Sequence, residues 1–162
     1  MTRTNILSAL ALILLLRPAT MWTQATGSPN LSGTWRMNAS KSKLPKSSKT
    51  GSQTLVIKQD GVQIEFHFDV DGKQSLDSYE ATKKEKVIRE VPEAGSKIMA
   101  KAYWKGATLI TETKVVFSRS SSLGPWEMMH TKDSWSISSD GLVLTERSQW
   151  EDGQSQTVYD KE

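Results

Sequence analysis

Residues 60–72, Asp-Gly-Val-Gln-Ile-Glu-Phe-His-Phe-Asp-Val-Asp-Gly, contain the clearest structural pattern in the sequence. From Val62 to Val70, apolar residues alternate with polar or charged ones, and this period of two predicts a half-buried β-strand. An Asp-Gly pair at each end favours a tight hairpin turn, because glycine adopts positive φ without strain. The stretch therefore predicts one strand with a hairpin on either side.

Strand-like segments of the same kind fill most of the remaining chain. They are Leu31–Asn38, Gln53–Asp60, Lys73–Ala81, Lys86–Val91, Ser96–Lys105, Ala107–Phe117, Trp126–Ser138, Leu142–Trp150 and a closing strand that includes Val158 and Tyr159. Mostly short turns separate them, which is typical of an antiparallel meander. Pairing of the last strand with the first would remove the two exposed edges of such a sheet. We therefore predict an all-β fold, a single antiparallel up-and-down meander closed into a β-barrel of about eight to ten strands.

The first 25 residues have the organisation of a signal peptide. Arg3 precedes an apolar run from Ile6 to Leu16, and Thr23-Gln24-Ala25 offers small residues at a cleavage site. The apolar run is shorter than the ~20 residues that cross a bilayer, so we expect no membrane span in the mature protein. The predicted organisation is a signal peptide over residues 1–25 and a single domain over residues 26–162, secreted or periplasmic.

Charge and composition give little indication of a macromolecular partner. The formal net charge is +3, and two of the positive charges, Arg3 and Arg17, belong to the predicted leader. Lysines concentrate in the segment Lys41–Lys49 without arginine or aromatic neighbours, which favours a solvated loop over a nucleic-acid contact. We expect no nucleic-acid partner and a monomer.

Residues suited to catalysis are sparse. The sequence has no cysteine, and its two histidines, His67 and His130, have no second ligand at the spacing of a metal site. The serines do not occur in a nucleophile motif with a supporting base. We therefore predict that the protein is not an enzyme and uses no metal or cofactor.

Binding of a small molecule has better support in the sequence. The residues predicted to face the barrel interior as ligand contacts are Phe66, Phe68, Trp104, Thr111, Thr113, Phe117 and Trp135. Aromatic walls of this kind accept flat or apolar ligands. The same aromatic side chains would equally well fill a solid core, and the pattern alone leaves both arrangements open.

Several segments resemble a known family. Gly33-Thr34-Trp35 resembles the Gly-x-Trp opening of the lipocalins and related calycin barrels. Leu31–Asn38, Tyr103–Ile110, Asp133–Gly141 and Val158–Lys161 are similar to lipocalin-like secreted proteins of soil bacteria such as the acidobacteria. The resemblance implies a lipocalin-like barrel.

The resemblance also implies how the barrel is closed. In lipocalins the tryptophan of the first strand closes the narrow end, and a basic residue near the last strands packs across its ring. Gly33 and Trp35 match the opening motif, and Arg147 is the candidate for the basic residue by position. Such a contact is structural and contributes about 1 kcal/mol.

Two functions are compatible with these features of the sequence. The first is a secreted or periplasmic carrier that binds a small apolar or amphipathic ligand inside the barrel without transforming it. The second is a solid-cored barrel that acts as a surface-interaction or envelope-associated module through its loops, Lys41–Lys49 and Ser118–Pro125. The interior volume distinguishes them, because a carrier needs a cavity of a few hundred Å³.

Overall fold

The computed structural model describes residues 27–45, 51–117 and 126–162, and this part of the chain is almost entirely β-strand. The strands are β1 (Gly33–Met37), β2 (Gln53–Asp60), β3 (Gln63–Val70), β4 (Lys73–Glu80), β5 (Lys86–Val91), β6 (Ser96–Lys105), β7 (Thr108–Phe117), β8 (Trp126–Ile137), β9 (Val143–Trp150) and β10 (Gly153–Lys161). A 3₁₀ turn, Pro92–Ala94, joins β5 to β6. The predicted signal peptide, the end of the lysine-rich loop and the Ser118–Pro125 loop lie outside the described residues.

All ten strands belong to one antiparallel sheet with the order β4-β3-β2-β1-β10-β9-β8-β7-β6-β5. The first strand pairs with the last, and Trp35 lies directly opposite Lys161. This arrangement confirms the predicted meander that rolls up into a barrel. The opening in the barrel lies between β4 and β5, which end the sheet on its two sides.

The hairpin turns follow the predicted chemistry. At the turn between β3 and β4, Asp71 and Gly72 both have positive φ, 52° and 79°. Two consecutive residues of this kind match the twist of the flanking strands, which is why Asp-Gly is favoured there. The Asp71 carboxylate also accepts a hydrogen bond from the backbone N–H of Ser52 at 3.0 Å, so its side chain supports the turn.

One end of the barrel is filled by apolar side chains that are fully buried. They are Leu31, Trp35, Leu55, Ile57, Ile64, Leu109 and Leu144. The indole N–H of Trp35 donates to the carbonyl oxygen of Leu31 at 3.1 Å, so the one polar group of this side chain is satisfied. This packed layer closes one end of the barrel.

The cation over the Trp35 ring is Lys161, whose ammonium nitrogen lies 5.3 Å from the ring centroid. Arg147, which was predicted for this role, is exposed, and its Nε donates to Oε1 of Gln156 at 3.3 Å. The strand period explains the difference. Leu144 of β9 points into the core, so Arg147, three positions later, points to the outer face.

Two ion pairs span the opening between β4 and β5, and the loop that joins these strands is hydrogen-bonded to β6. The Lys83 backbone N–H donates to the carbonyl oxygen of Ala102 at 2.8 Å. Lys86 pairs with Glu80 and Arg89 pairs with Asp77. We call this junction the β4–β5 seam. Strand hydrogen bonds are replaced here by ion pairs, so the barrel is nearly closed.

The described residues include no helix with the length and apolar character needed to cross a membrane.

Candidate ligand-binding cavity

A cavity of about 290 Å³ that is partly open to solvent lies beyond the packed layer. Residues from several strands line this cavity. They include Asp77 and Tyr79 of β4 and Ile88 and Arg89 of β5, so both strands of the seam contribute to it. The volume is close to the lower limit of ligand pockets in proteins. The cavity therefore has room for one small molecule.

Aromatic rings form one wall of the cavity, with Phe66 at its centre. The Phe66 ring centroid lies 4.7 Å from that of Trp135, 5.5 Å from that of Tyr79 and 6.2 Å from that of Phe68. The Tyr79 ring meets Phe66 edge to face, and Phe68 lies nearly parallel to it. These rings fix one another in place, so the aromatic wall is preformed.

A second wall is polar and is built around Asp133 of β8. Its carboxylate accepts a hydrogen bond from the Ser148 hydroxyl at 2.6 Å and a longer one from the Thr111 hydroxyl at 3.4 Å. Thr111 in turn accepts a hydrogen bond from the indole N–H of Trp135 at 3.3 Å. The aromatic and polar walls are thus joined by one hydrogen-bond chain. Burial raises the pKa of Asp133, and the donated hydrogen bonds offset part of that effect.

Glu146 of β9 extends the polar wall. Its Oε2 accepts a hydrogen bond from the Tyr159 hydroxyl at 3.1 Å, and that hydroxyl accepts one from Nε2 of Gln53 at 3.0 Å. Burial, followed by the nearby charge of Asp133, raises the pKa of Glu146 to about 7. The folded barrel therefore favours the protonated form of this carboxyl group more than water does.

Asp77 brings a third carboxyl group to the cavity, at the seam. Burial raises the pKa of Asp77, while the paired guanidinium of Arg89 lowers it. The same guanidinium donates from Nη2 to the carbonyl oxygen of Leu76 at 3.3 Å. Two contacts therefore hold the Arg89 side chain against β4, and its positive charge is paired with the carboxylate of Asp77.

The sequence-predicted contact residues occupy several environments. Phe66, Phe68, Thr113 and Trp135 line the cavity, whereas Thr111 is buried behind the polar wall. Trp104 is half-buried and packs against the core, and Phe117 is half-buried at the end of β7.

Sequence reasoning missed the acidic side of the cavity, formed by Asp77, Asp133 and Glu146. The available signal was the strand period. Glu146 lies two positions after the buried Leu144, and Asp133 lies two positions before the buried Trp135. Each carboxylate therefore shares the inward face of its strand with a core residue.

The histidine His67 lies on the outer face of β3, where its Nε2 is 3.0 Å from Oε2 of Glu65. Within the described ranges, no group of three or more His, Cys, Asp or Glu side chains is arranged to hold a metal ion.

Comparison with solved structures identifies the fold. The chain is similar to a "secretary abundant heat soluble" (SAHS) protein of Ramazzottius varieornatus, with a TM-score of 0.57 and 14% identity over 81% of this chain and 94% of that one. It is similar to the REP1-NXSQ fatty acid transporter, with a TM-score of 0.58 and 14% identity over 82% of this chain and 96% of that one. The fold is a lipocalin-like barrel.

A third similar structure is apo lipid binding protein 8 (LBP-8) of Caenorhabditis elegans, with a TM-score of 0.58 and 14% identity over 82% of this chain and 95% of that one. No protein-family model matches the sequence, and no curated protein matches it. The names of the transporter and of LBP-8 describe transport or binding of lipids and not catalysis.

Proposed function

We propose that this protein is a secreted or periplasmic, non-catalytic carrier that binds a small apolar or amphipathic molecule inside its barrel. The observation that carries the proposal is the cavity of about 290 Å³ between an aromatic wall and a polar wall. An apolar surface with a few convergent polar groups is the usual composition of a small-molecule site. The proposed location rests on the predicted leader sequence, and the proposed monomeric state rests on the predicted single domain over residues 26–162.

The structural neighbours support the same class of function. A fatty acid transporter and a lipid binding protein have this fold and cover most of this chain. At 14% identity the likeness concerns the fold alone, so the ligand must be inferred from the residues of this cavity.

The cavity also bears on the alternative function. A barrel that acts only through its surface needs no interior space, and its aromatic side chains would fill the core. Here Phe66 and Trp135 belong to the same buried core as Trp35, and a cavity of about 290 Å³ nevertheless remains beside them. This distribution favours the carrier over the solid-cored interaction module.

Native mass spectrometry of the mature protein, purified gently from its host, tests the proposal directly. We expect a stoichiometric small molecule on the wild-type protein that is released by unfolding. Thr113→Leu fills part of the cavity, because Thr113 lines it. This variant should fold with an unchanged circular dichroism spectrum and lose the bound molecule.

The matched control is Thr145→Leu, which makes the same substitution on the outer face of β9. It should retain the bound molecule. Loss of the molecule in both variants, or its retention in both, would place the ligand outside the cavity. A wild-type protein without bound molecule that also fails to bind any apolar or amphipathic probe would contradict the carrier function.

A further inference from the structure

The charges around the cavity are unbalanced. Three carboxyl groups line it, those of Asp77, Asp133 and Glu146. Among the described residues of its lining, Arg89 is the single cationic side chain, and it is paired with Asp77. Asp133 and Glu146 therefore face the cavity without a cationic partner from its walls.

The hydrogen bonds to these two carboxyl groups come from neutral donors. Asp133 accepts hydrogen bonds from the hydroxyl groups of Ser148 and Thr111, and Glu146 interacts with those of Tyr159, Thr157 and Ser148. Neutral donors satisfy part of the acceptor capacity of a carboxylate but supply no positive charge. Burial raises the pKa of both groups, the charge of Asp77 adds to the effect at Asp133 and that of Asp133 adds to it at Glu146, and a bound cation would reverse these effects.

The aromatic wall suits the same kind of ligand. Phe66, Tyr79 and Trp135 meet beside the carboxyl groups, and their ring faces attract organic cations as well as apolar groups. A ligand carboxylate in this position would instead meet Asp133 and Glu146, and like charges at short distance in a partly dehydrated cavity repel strongly.

Resting on the proposed carrier function, we propose that the ligand is a small apolar or aromatic amine. Its protonated amino group pairs with the carboxyl groups of Asp133 and Glu146, and its apolar part lies against Phe66 and Trp135. The cavity thereby selects amines over fatty acids of the same length.

Three probes with eight carbon atoms each and different head groups test this selection. The probes are octylamine, octan-1-ol and octanoate, and the measurement is isothermal titration calorimetry on the mature protein at pH 8. At this pH an alkyl amine is protonated like a lysine side chain, and Glu146, with a pKa of about 7, is mostly ionised. We expect octylamine to bind about tenfold more tightly than octan-1-ol, the difference expected for one charged hydrogen bond, and octanoate to bind most weakly.

Two variants connect this selection to the carboxyl groups. Glu146→Gln keeps the size and a carbonyl acceptor, and we expect it to lower octylamine affinity about tenfold while octan-1-ol affinity stays unchanged. Asp133→Asn gives a second measurement at the other carboxyl group. Glu151→Gln, on an exposed residue of the turn between β9 and β10, is the control and should leave all three affinities unchanged. Thermal melts verify that each variant is folded.

The outcomes separate the two proposals. If octan-1-ol or octanoate binds as tightly as octylamine and Thr113→Leu abolishes that binding, the carrier function holds and the amine selection is wrong. If octylamine binds equally well to wild type, Glu146→Gln and Thr113→Leu, it lies outside the cavity and the inference is again wrong. If none of the probes binds, the result contradicts the inference and also counts against the carrier function.

Discussion

Glu146 illustrates how the interior of the barrel changes the chemistry of one residue. Its ordinary pKa of 4.5 is raised to about 7 because burial disfavours the charged form and Asp133 adds negative charge nearby. The folded protein therefore holds this proton more tightly than the unfolded chain does. Between the two pKa values the folded state binds more protons, so the stability contributed by Glu146 falls as pH rises through this window.

Replacement of this carboxyl group should change the pH dependence of stability. We expect Glu146→Gln to unfold with a higher free energy than wild type at pH 8, by about 3 kcal/mol at most given the shift from 4.5 to about 7. The difference should shrink as pH falls and disappear below about pH 4.5, where wild-type Glu146 becomes protonated in both states. Guanidinium chloride denaturation at a series of pH values measures it.

The control for this series is Glu151→Gln, because Glu151 is exposed and lies outside the cavity lining. Its difference from wild type should be small throughout the series. Parallel pH profiles of wild type and Glu146→Gln would show that Glu146 does not hold its proton in the folded barrel.

The cation over the Trp35 ring could not be identified from sequence position alone. The sequence offers several basic residues near the last strands, and the resemblance to lipocalins does not choose among them. The strand register identifies the basic residue. Lys161 lies opposite Trp35 on the neighbouring strand, whereas Arg147 points outward. Trp35 itself could be predicted from its motif, since a large buried aromatic residue leaves a local signal.

At the scale of the strand, β4 explains why the acidic wall was missed. In most strands the apolar residues face inward, but in β4 Leu76 is 48% exposed while Asp77 and Tyr79 face the cavity. An alternation of apolar and polar residues predicts a strand and its two faces, and assumes that the apolar face is buried. That assumption fails where the strand borders a polar cavity, so the strand was predictable and the orientation of its carboxylate was not.

The same strand forms one side of the β4–β5 seam, where ion pairs replace strand hydrogen bonds. The side chains of Arg89 and Asp77 are 42% and 25% exposed, so solvent screens their attraction. We expect Arg89→Gln to lower the free energy of unfolding by only about 1 kcal/mol. Its effect should instead be local, because the seam has few other contacts to hold β4 against β5.

Hydrogen exchange measures that local effect. In Arg89→Gln, amides of β4, of β5 and of Lys83, whose N–H bonds to Ala102 of β6 from the loop between them, should exchange several-fold faster while β1 and β10 stay unchanged. Arg36→Gln is the control. It breaks a comparable exposed ion pair, in which Nη2 of Arg36 lies 2.5 Å from Oε1 of Glu162, and this pair is remote from the seam. Uniform acceleration throughout the barrel, or none at the seam, would show that the ion pair does not hold the two strands together.

The interior of the barrel contains a packed apolar region and a cavity. Fully buried apolar side chains surround Trp35, and the cavity with its three carboxyl groups lies beside Phe66 and Trp135 at the edge of the same core. The packed layer follows from local pattern and was predictable from sequence. The cavity depends on which residues from distant strands come together and on the space that they leave unfilled. Neither can be predicted from a local sequence pattern. This is why the sequence left a solid core and a cavity equally open.

If the packed layer stabilises the barrel as one unit, its loss must destabilise every strand. Trp35 is fully buried at the pairing of β1 with β10, which joins β1–β4 to β5–β10. We expect Trp35→Ala to lower the free energy of unfolding by about 3–5 kcal/mol, the usual cost of deleting a large core aromatic residue. Tryptophan fluorescence and far-ultraviolet circular dichroism should follow the same denaturation curve, since one core leaves no part of the sheet to unfold separately.

Leu142→Ala is the control for this experiment, because Leu142 is 56% exposed and its truncation should change stability by no more than about 0.5 kcal/mol. If fluorescence and circular dichroism separate in Trp35→Ala, the cavity end and the packed end unfold independently. The cavity would then owe its shape to the seam and the hydrogen-bond chain from Trp135 to Ser148. Coincident curves would instead mean that the packed layer holds the cavity open, so that ligand affinity and global stability fall together when that layer is damaged.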